Sequence, residues 1–239
     1  MALSPPKLMI ARLEDKTVHT EKFVQYAFEF ESPHLMPFAA GQYVSVKVSE
    51  TGARRSYSIC STPDTNHGFE LLLDLAPNGL GCQYFEGLQF GDQIQALGPM
   101  GMFVIEDRPE EQALAFVATG SGIAPIRAMI LDQLQVKKDT RPITLYWGIR
   151  HEKDMFWQQE FQELSDSFVN FTFHPTMSQP ETGQWTLCSG RVTDCLNTHD
   201  LLPNAGYYVC GNERMLHDVL ELLKQKGVAE ANLHHEKFY

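Results

Sequence analysis

Long apolar segments are missing from this 239-residue chain. No run of about 20 apolar residues is present, which is the length that a membrane-spanning helix needs. The first residues also lack a long apolar core followed by a small-residue cleavage site, the pattern of a secretory signal. We therefore expect no membrane insertion and a cytoplasmic location.

Cysteine is scarce and lacks the spacing of a metal or cluster site. The five cysteines, at positions 60, 82, 188, 195 and 210, form no Cys-x-x-Cys pair and no four-cysteine pattern of the iron–sulfur or zinc kind. An odd number of cysteines without a secretion signal fits reduced thiols. We expect neither a built-in iron–sulfur domain nor a metal site.

Positive charge is also in short supply. Nineteen Lys and Arg against thirty Asp and Glu give a net charge of −11. Such a chain is a poor match for the phosphates of a nucleic acid or an anionic membrane surface. Nucleic-acid binding is therefore not expected, and an acidic protein partner would need a local basic patch.

The sequence texture changes once along the chain. Up to about residue 105, short runs rich in β-branched and aromatic residues alternate with glycine turns, which is typical of a small antiparallel barrel. One short helix is predicted near 81–86. After a charged, proline-bearing junction at 106–111, continuous apolar runs alternate with helical segments, which favours a parallel sheet covered by helices. The predicted domains are 1–107 and 108–239.

A first candidate site is Arg55-Ser56-Tyr57-Ser58, on an expected strand. It combines a guanidinium fork for phosphate with an aromatic face and two hydroxyls, which are groups that a flavin needs. Taken alone, the segment is better explained by an exposed strand with a solvated arginine and a half-buried tyrosine.

Two glycine-rich turns precede helices. Asn78-Gly79-Leu80-Gly81-Cys82 could present backbone N–H groups to an anion, and a tight turn without a ligand explains it as well. Thr119-Gly120-Ser121-Gly122-Ile123-Ala124-Pro125 follows an apolar strand, the context in which a nucleotide pyrophosphate sits on a helix N-terminus. Pro125 suits a first helical turn.

Three further segments lie near the ends of expected strands. Arg150 is placed to meet an adenosine ribose or its 2′-phosphate, or it is a solvated loop arginine. Cys210 beside Gly211 would let a flat ring approach closely, although a buried cysteine usually packs as an apolar residue. His234 and His235 are neighbours expected to point apart on a strand without a third ligand, so they predict no metal site.

Arranged in this order, with Glu236-Lys237-Phe238-Tyr239 at the end, the segments resemble the ferredoxin-NADP reductase superfamily. The resemblance implies a six-stranded antiparallel Greek-key barrel that holds a flavin, followed by an α/β parallel-sheet domain that binds NAD(P)H. It implies hydride transfer from the nicotinamide to the flavin and electron transfer onward. FAD is favoured over FMN, because an arginine and a helix-start turn are both available for a pyrophosphate. The sequence leaves NADPH and NADH open.

The resemblance also implies residue roles. Ser58, Cys210 and Glu236 are the expected catalytic residues: the serine faces flavin N5, the cysteine shapes the nicotinamide pocket and the glutamate acts beside the serine. Gly98-Pro99-Met100-Gly101-Met102-Phe103 is expected to be a turn that closes the barrel. Cys82 stands where the family usually has Ser or Thr, and Asn212 where it commonly has Pro. The expected cofactor-binding residues are Arg55, Ser56, Tyr57, Ser58, Gly79, Leu80, Gly81, Cys82, Thr119, Gly120, Ser121, Gly122, Pro125, Arg150, Cys210, Gly211, Met215 and either Phe238 or Tyr239 over the flavin.

The electron acceptor is open at this stage. A ferredoxin or flavodoxin is the first expectation, and an oxygenase component or free flavin is an alternative. From a different functional class, a redox-sensing regulatory subunit or a module that binds no flavin would share the same fold. Related regulatory subunits usually carry a cysteine cluster near the C-terminal part, and its absence from this sequence favours an enzyme.

Overall fold

The computed structural model describes residues 4–181, 183 and 185–238. The chain divides into two compact units. Unit 1 comprises the residues up to Glu106 together with Arg127–Lys137. Unit 2 comprises Asp107–Ile126 and the residues from Lys138 onward.

Unit 1 is built on a six-stranded sheet whose paired strands are all antiparallel. In spatial order the strands are β4-β3-β6-β1-β2-β5. A bridge between Ile59 and Leu71 joins the end of β4 to β5, so that the sheet nearly closes. The predicted antiparallel barrel is confirmed. Its elements are β1 (Lys7–Val18), β2 (Phe23–Ser32), β3 (Tyr43–Lys47), β4 (Arg54–Ser58), β5 (Gly68–Asp74), α1 (Leu80–Gly87) and β6 (Gln93–Met100).

The core of unit 1 follows from alternation along its strands. Successive side chains of a strand point to opposite faces, so that every second residue reaches the interior. In β2 these residues are Val24, Tyr26, Phe28 and Phe30, all buried. Phe28 stacks on Phe69 of β5 at a centroid distance of 5.4 Å. Cross-strand aromatic pairs of this kind stabilise the register of a sheet.

The turn predicted over 98–103 is wrong in its first half, because Gly98, Pro99 and Met100 belong to strand β6. A Cβ on Gly98 would lie 2.9 Å from Val44 Cγ1 and 3.3 Å from the Tyr43 carbonyl oxygen. The glycine is therefore needed for the close approach of β3. The unusual backbone conformation falls at Gly101, which has a φ of +99° just after the strand.

Unit 2 is built on a six-stranded parallel sheet in the order β10-β9-β8-β7-β11-β12. All residues of β8 and nearly all of β7 are buried, which accounts for the uninterrupted apolar runs of the sequence. The predicted α/β domain with a parallel sheet is confirmed. The division between the units falls within helix α2 (Ile123–Leu131), after Ile126. The other elements are β7 (Ala113–Thr119), β8 (Ile143–Ile149), α3 (Gln158–Ser167), β9 (Phe171–Met177), β10 (Cys188–Ser189), α4 (Val192–Thr198), β11 (Ala205–Asn212), α5 (Glu213–Gln225) and β12 (Leu233–Phe238).

Helix α2 is extended by a π-helical turn over Asp132–Val136. Within the described part of the chain, no helix combines the length and the apolarity needed to cross a membrane.

Candidate functional site

The two arginines of strand β4 lie on opposite faces of the strand and have different partners. Arg54 donates from Nε to Ser45 Oγ at 3.1 Å and from a terminal nitrogen to the Ser45 carbonyl oxygen, so its guanidinium is bound to the neighbouring strand β3. Arg55 points to the opposite face, is exposed, and donates to the carbonyl oxygen of Arg54 at 2.8 Å. Arg55 is therefore the arginine of this strand that is available to an anion.

The start of α1 packs directly on the face that carries Arg55 and Tyr57. A Cβ on Gly81 would lie 2.2 Å from Tyr57 Oη and 3.3 Å from Arg55 Cγ. Only glycine fits there without displacing the tyrosine. The contact brings the first candidate segment together with the first glycine-rich turn.

Backbone groups are the remaining donors of this turn. The N-cap residue Gly79 makes no side-chain capping bond, and the space around its Cβ position is open. Leu80 is 41% exposed. The thiol of Cys82 donates to the Asp74 carbonyl oxygen at 3.6 Å, so the backbone N–H of Cys82 and its neighbours is what the helix start offers to an anion.

Tyr57 presents a neutral, fixed ring. It packs edge-on against Phe85 with a centroid distance of 4.9 Å. Burial raises the pKa of Tyr57 to about 12, the Cys82 sulfur adds to the increase, and the charge of Arg55 opposes it. On the other face of β4, Ser56 is exposed and Ser58 is buried. An exposed guanidinium, a glycine cradle and a neutral aromatic ring fit the pyrophosphate and the ring system of a flavin.

In unit 2, three neighbouring strands place the remaining candidates at one edge of the sheet. The register pairs Ala118 of β7 with Cys210 of β11, and Cys210 with Glu236 of β12. Because parallel strands all end at the same edge, the loop after β7, the end of β11 and the end of β12 meet there. The register also sets Asn212 beside Phe238.

Two glycines allow these segments to approach each other closely. A Cβ on Gly122 would lie 2.4 Å from the Cys210 carbonyl oxygen, and a Cβ on Gly211 would lie 2.5 Å from Thr119 Oγ1 and 3.0 Å from Met215 Sδ. Thr119 Oγ1 is buried and has no hydrogen-bond partner within the described residues. A bound group could satisfy that hydroxyl, so the arrangement fits a nucleotide at this edge.

The loop after β7 is held by the neighbouring strand. Gly120–Gly122, which includes Ser121, forms a single 3-10 turn, and Pro125 lies in the first turn of α2. The Trp147 indole N–H donates to the Gly120 carbonyl oxygen at 3.4 Å. Arg150, just after β8, is exposed and donates from Nε to Gln179 Oε1 at 3.2 Å.

Cys210 is fully buried. Burial raises the pKa of its thiol well above the ordinary value, and the negative charge of Glu236 raises it further. The sulfur is therefore a protonated thiol near neutral pH, which suits a packing role better than nucleophilic attack. Asn212, where the family commonly has proline, accepts a hydrogen bond from the Met215 N–H at 3.0 Å and caps α5.

A cavity beside Phe238 was not predicted from the sequence. Its volume is about 670 Å³, and its polar lining includes Glu213, Arg214, His217 and Lys237. Lys237 pairs with Glu213 at 3.0 Å. The polar first turn of α5 was the available signal, since helix starts at this sheet edge are where ligands bind. The alternative ring-covering residue, Tyr239, lies outside the described residues.

Two family models match consecutive parts of the chain. One is described as an oxidoreductase FAD-binding domain and matches residues 10–105; the other is described as an oxidoreductase NAD-binding domain and matches residues 116–221. The chain belongs to the ferredoxin-NADP reductase superfamily. It is an oxidoreductase with FAD-binding and NAD-binding domains, which confirms the family and the cofactors expected from the motifs.

Curated relatives carry the names of electron-transfer components. The reductase component DmpP of phenol 2-monooxygenase from Pseudomonas sp. is 31% identical over 208 residues, which are 85% of this chain and 58% of that protein. In Neisseria meningitidis, one subunit of the Na(+)-translocating NADH-quinone reductase is 32% identical, covering 80% of this chain and 50% of the relative. The chain thus spans about half of each relative's length.

Solved structures show the same fold. A ferredoxin NADP+ reductase from Neisseria gonorrhoeae with bound FAD and NADP superposes with a TM-score of 0.85 at 23% identity, over 98% of this chain and 99% of that chain. The Amycolatopsis cytochrome P450 reductase GcoB gives a TM-score of 0.90 at 24% identity, over 100% of this chain and 72% of that chain. The residue roles derived from the motifs stay predictions.

Proposed function

We propose that the protein is a flavoprotein reductase that takes a hydride from NADPH or NADH onto FAD and passes electrons to a separate acceptor. The observation that carries the proposal is the contact of Gly81 with Tyr57 and Arg55, which builds a phosphate and ring site inside the part of the chain that matches an FAD-binding domain. In this proposal residues 1–107 hold the flavin and residues 108–239 hold the nicotinamide coenzyme.

Bound FAD supplies hydride acceptance and electron release, while the protein binds and orients. Arg55 and the backbone N–H groups at the start of α1 hold the pyrophosphate. The neutral ring of Tyr57 packs on the isoalloxazine, and the Ser58 hydroxyl is assigned to its N5 edge. The close packing at Gly81 keeps Arg55, Tyr57 and the start of α1 together in this site.

The coenzyme is held mainly by backbone. The 3-10 turn over Gly120–Gly122 and the Thr119 hydroxyl contact its phosphates, and Arg150 is placed for the ribose or the 2′-phosphate. Cys210 and Gly211 let the nicotinamide approach, because a protonated thiol and a glycine present little bulk. Glu236 orients that ring.

An oxygenase component is the acceptor best supported by the relatives' names. Besides the phenol 2-monooxygenase reductase, the anthranilate 1,2-dioxygenase electron transfer component from Acinetobacter baylyi is 29% identical over 205 residues. Ferredoxin, flavodoxin and free flavin are the alternatives. We place the protein in the cytoplasm, where its five free cysteines stay reduced.

The test is anaerobic reduction of the FAD-loaded protein by NADH and by NADPH in stopped flow, followed by mixing with each acceptor. Rapid bleaching of the flavin by at least one coenzyme is expected, with fast reoxidation by a redox protein and slow turnover of free FMN. A folded protein that takes up neither FAD nor FMN would contradict the proposal. Fast turnover of free flavin alone would make the protein a flavin reductase.

A further inference from the structure

Three side chains with atoms that can ligate a metal meet in unit 2, among residues to which the candidate site assigns no role. Cys188, Cys195 and His199 each bring a ligand atom to within 4.8 Å of the other two. Cys188 lies on β10, Cys195 on α4, and His199 is the residue that ends α4. No role in the proposed reaction uses any of them.

Local contacts at the end of α4 hold two of the ligands together. Cys195 lies in the helix, and His199 follows its last residue with an extended backbone. The His199 Nδ1 atom is 3.9 Å from the Cys195 sulfur, 2.9 Å from the Cys195 carbonyl oxygen and 3.1 Å from Thr198 Oγ1. A ring nitrogen that contacts a carbonyl oxygen carries the proton, so this contact orients the ring and leaves Nε2 as the nitrogen for an ion.

Cys188 is positioned independently. Its carbonyl oxygen accepts a hydrogen bond from the Trp185 indole N–H at 2.7 Å and from Thr176 Oγ1 at 3.1 Å. The strand pairing of Cys188 with Thr176 adds a further restraint. The third ligand is therefore held in place before any ion arrives.

The surroundings give shielding on one side and access on the other. Cys195 is 1% exposed, whereas Cys188 is only partly buried, so an ion can reach the sulfurs past Cys188. The rings of His174 and Tyr146 lie 3.9 Å and 6.0 Å from the His199 ring, centroid to centroid. A shielded cluster with one open side is suited to retaining an ion.

We propose that Cys188, Cys195 and His199 form a binding site for Zn²⁺ or a similarly soft divalent ion. Two thiolates and an imidazole select zinc over magnesium or calcium, which take oxygen ligands. Binding releases the two thiol protons to solvent, and two thiolates then neutralise the charge of the ion. A water molecule completes the tetrahedron. A disulfide between Cys188 and Cys195 is the alternative use of the two sulfurs, and it would assign no role to the His199 imidazole.

The ion would connect the two-residue strand β10 to the short helix α4. Because a ligand that binds only the folded state stabilises it, zinc should raise the thermal unfolding midpoint of the whole chain. This effect is independent of flavin and coenzyme binding, so the failure of either proposal leaves the other testable.

The experiment titrates the reduced, chelator-treated full chain with ZnCl₂ by calorimetry and with CoCl₂ by absorption spectroscopy. One equivalent of each ion should bind, and cobalt should give a thiolate charge-transfer band. Cys188→Ser and His199→Gln should each lower the affinity at least tenfold and weaken the band. Cys60→Ala and His67→Gln, which remove a cysteine and a histidine of unit 1, are the matched controls and should bind as the unaltered chain does.

Two results would overturn the proposal. One is the lack of stoichiometric zinc or cobalt binding by the reduced chain, including the case in which air oxidation then yields a Cys188–Cys195 disulfide in peptide maps. The other is binding that persists unchanged in both Cys188→Ser and His199→Gln. Cys188 is partly exposed and His199 ends its helix, so both variants are expected to fold, and circular dichroism checks this.

Discussion

The candidate sites of the two units are formed by different kinds of contact. Unit 1 adds exposed side chains to the backbone N–H groups at the start of α1: Arg55 and Tyr57 project from β4, and Gly81 supplies the space between them. Unit 2 depends on the close approach of chain segments: Gly122 touches the Cys210 carbonyl group, and Gly211 lies against the Thr119 side chain. Side-chain sites can lose a functional group without moving the chain, whereas backbone sites cannot be altered without shifting strands.

Because of this difference, a substitution in the site of unit 1 can change ligand affinity without changing folding stability. A substitution in the site of unit 2 should change both. Removal of the exposed Arg55 guanidinium takes nothing from the buried core of the barrel. A methyl group added at Gly122 pushes on the chain segment that also forms β11. Binding and folding should therefore respond separately in the first unit and together in the second.

The largest effect is expected from Arg55→Ala. Loss of a charge-assisted hydrogen bond to phosphate costs roughly 1.5 to 3 kcal/mol, which is about a ten- to hundredfold rise in the dissociation constant for FAD. Flavin fluorescence titration measures this, and the thermal unfolding midpoint of the flavin-free chain should stay the same.

Arg54→Ala is the matched control, because that guanidinium is bound to Ser45. It should disturb the pairing of β3 with β4 slightly and leave the FAD affinity within a few fold. Equal losses of FAD affinity in the two variants would contradict the assignment of Arg54 to the pairing of β3 with β4 and of Arg55 to the ligand.

The next effect is expected from Gly122→Ala. Its Cβ would lie 2.4 Å from the Cys210 carbonyl oxygen, and such overpacking costs roughly 1 to 3 kcal/mol. The midpoint of denaturant unfolding and the affinity for NAD(P)H should both fall, while FAD binding should persist.

Gly120→Ala is the comparison variant in the same turn. Gly120 has a φ of +54° and an open Cβ position, so alanine there meets only backbone strain of about 1 kcal/mol. If Gly122→Ala is no more harmful than Gly120→Ala, close backbone contact is not what shapes this site.

A smaller effect is expected from Arg150→Ala, on coenzyme preference. Because Arg150 is exposed, its hydrogen bond to a 2′-phosphate has the lower value of about 1.5 kcal/mol, which is roughly tenfold in the dissociation constant for NADPH. The affinity for NADH should change far less. Gln179→Ala removes the hydrogen-bond partner of Arg150 without changing charge and serves as control. Equal weakening of both coenzymes would show that Arg150 does not contact the 2′-phosphate.

Periodicity in the sequence was sufficient to predict both sheets. The alternating burial of β2 and the fully buried β8 are the two patterns that distinguish an antiparallel barrel from a parallel sheet. It was insufficient for α4, whose sequence Val-Thr-Asp-Cys-Leu-Asn-Thr is largely polar. Strand β10 has only two residues, which is too few to show an alternation of apolar and polar residues.

The candidate sites divide in the same way. Each segment was visible in the sequence, because glycine turns and an arginine beside a tyrosine have recognisable chemistry. The contact of Gly81 with Tyr57 joins residues distant in sequence, and no local pattern encodes it. The meeting of Cys188 with Cys195 and His199 follows an unfamiliar spacing, so the cysteine count alone predicted no metal site.

The smallest effect concerns the thiol of Cys210. Burial is the main cause of its raised pKa, and the charge of Glu236 is the second. A nearby negative charge favours the neutral thiol, so Glu236→Gln should lower the pKa and increase the thiolate fraction at any given pH. We expect alkylation of Cys210 by iodoacetamide to accelerate by less than about tenfold, which corresponds to one pKa unit, since burial is unchanged.

Mass spectrometry of the folded, coenzyme-free chain measures the rate at each cysteine separately. Cys195 is the internal standard, because it is buried in the same unit and would also react faster if the variant merely opened unit 2. Glu213→Gln controls for the loss of a negative charge elsewhere, since Glu213 pairs with Lys237. An increase in the alkylation rate that is seen only at Cys210, and only in the Glu236→Gln variant, would show that the carboxylate acts on the thiol. It would support the assignment of both residues to one nicotinamide pocket. An unchanged rate would leave burial as the sole cause of the raised pKa of Cys210. It would also remove the electrostatic argument for placing Glu236 in the nicotinamide site of unit 2.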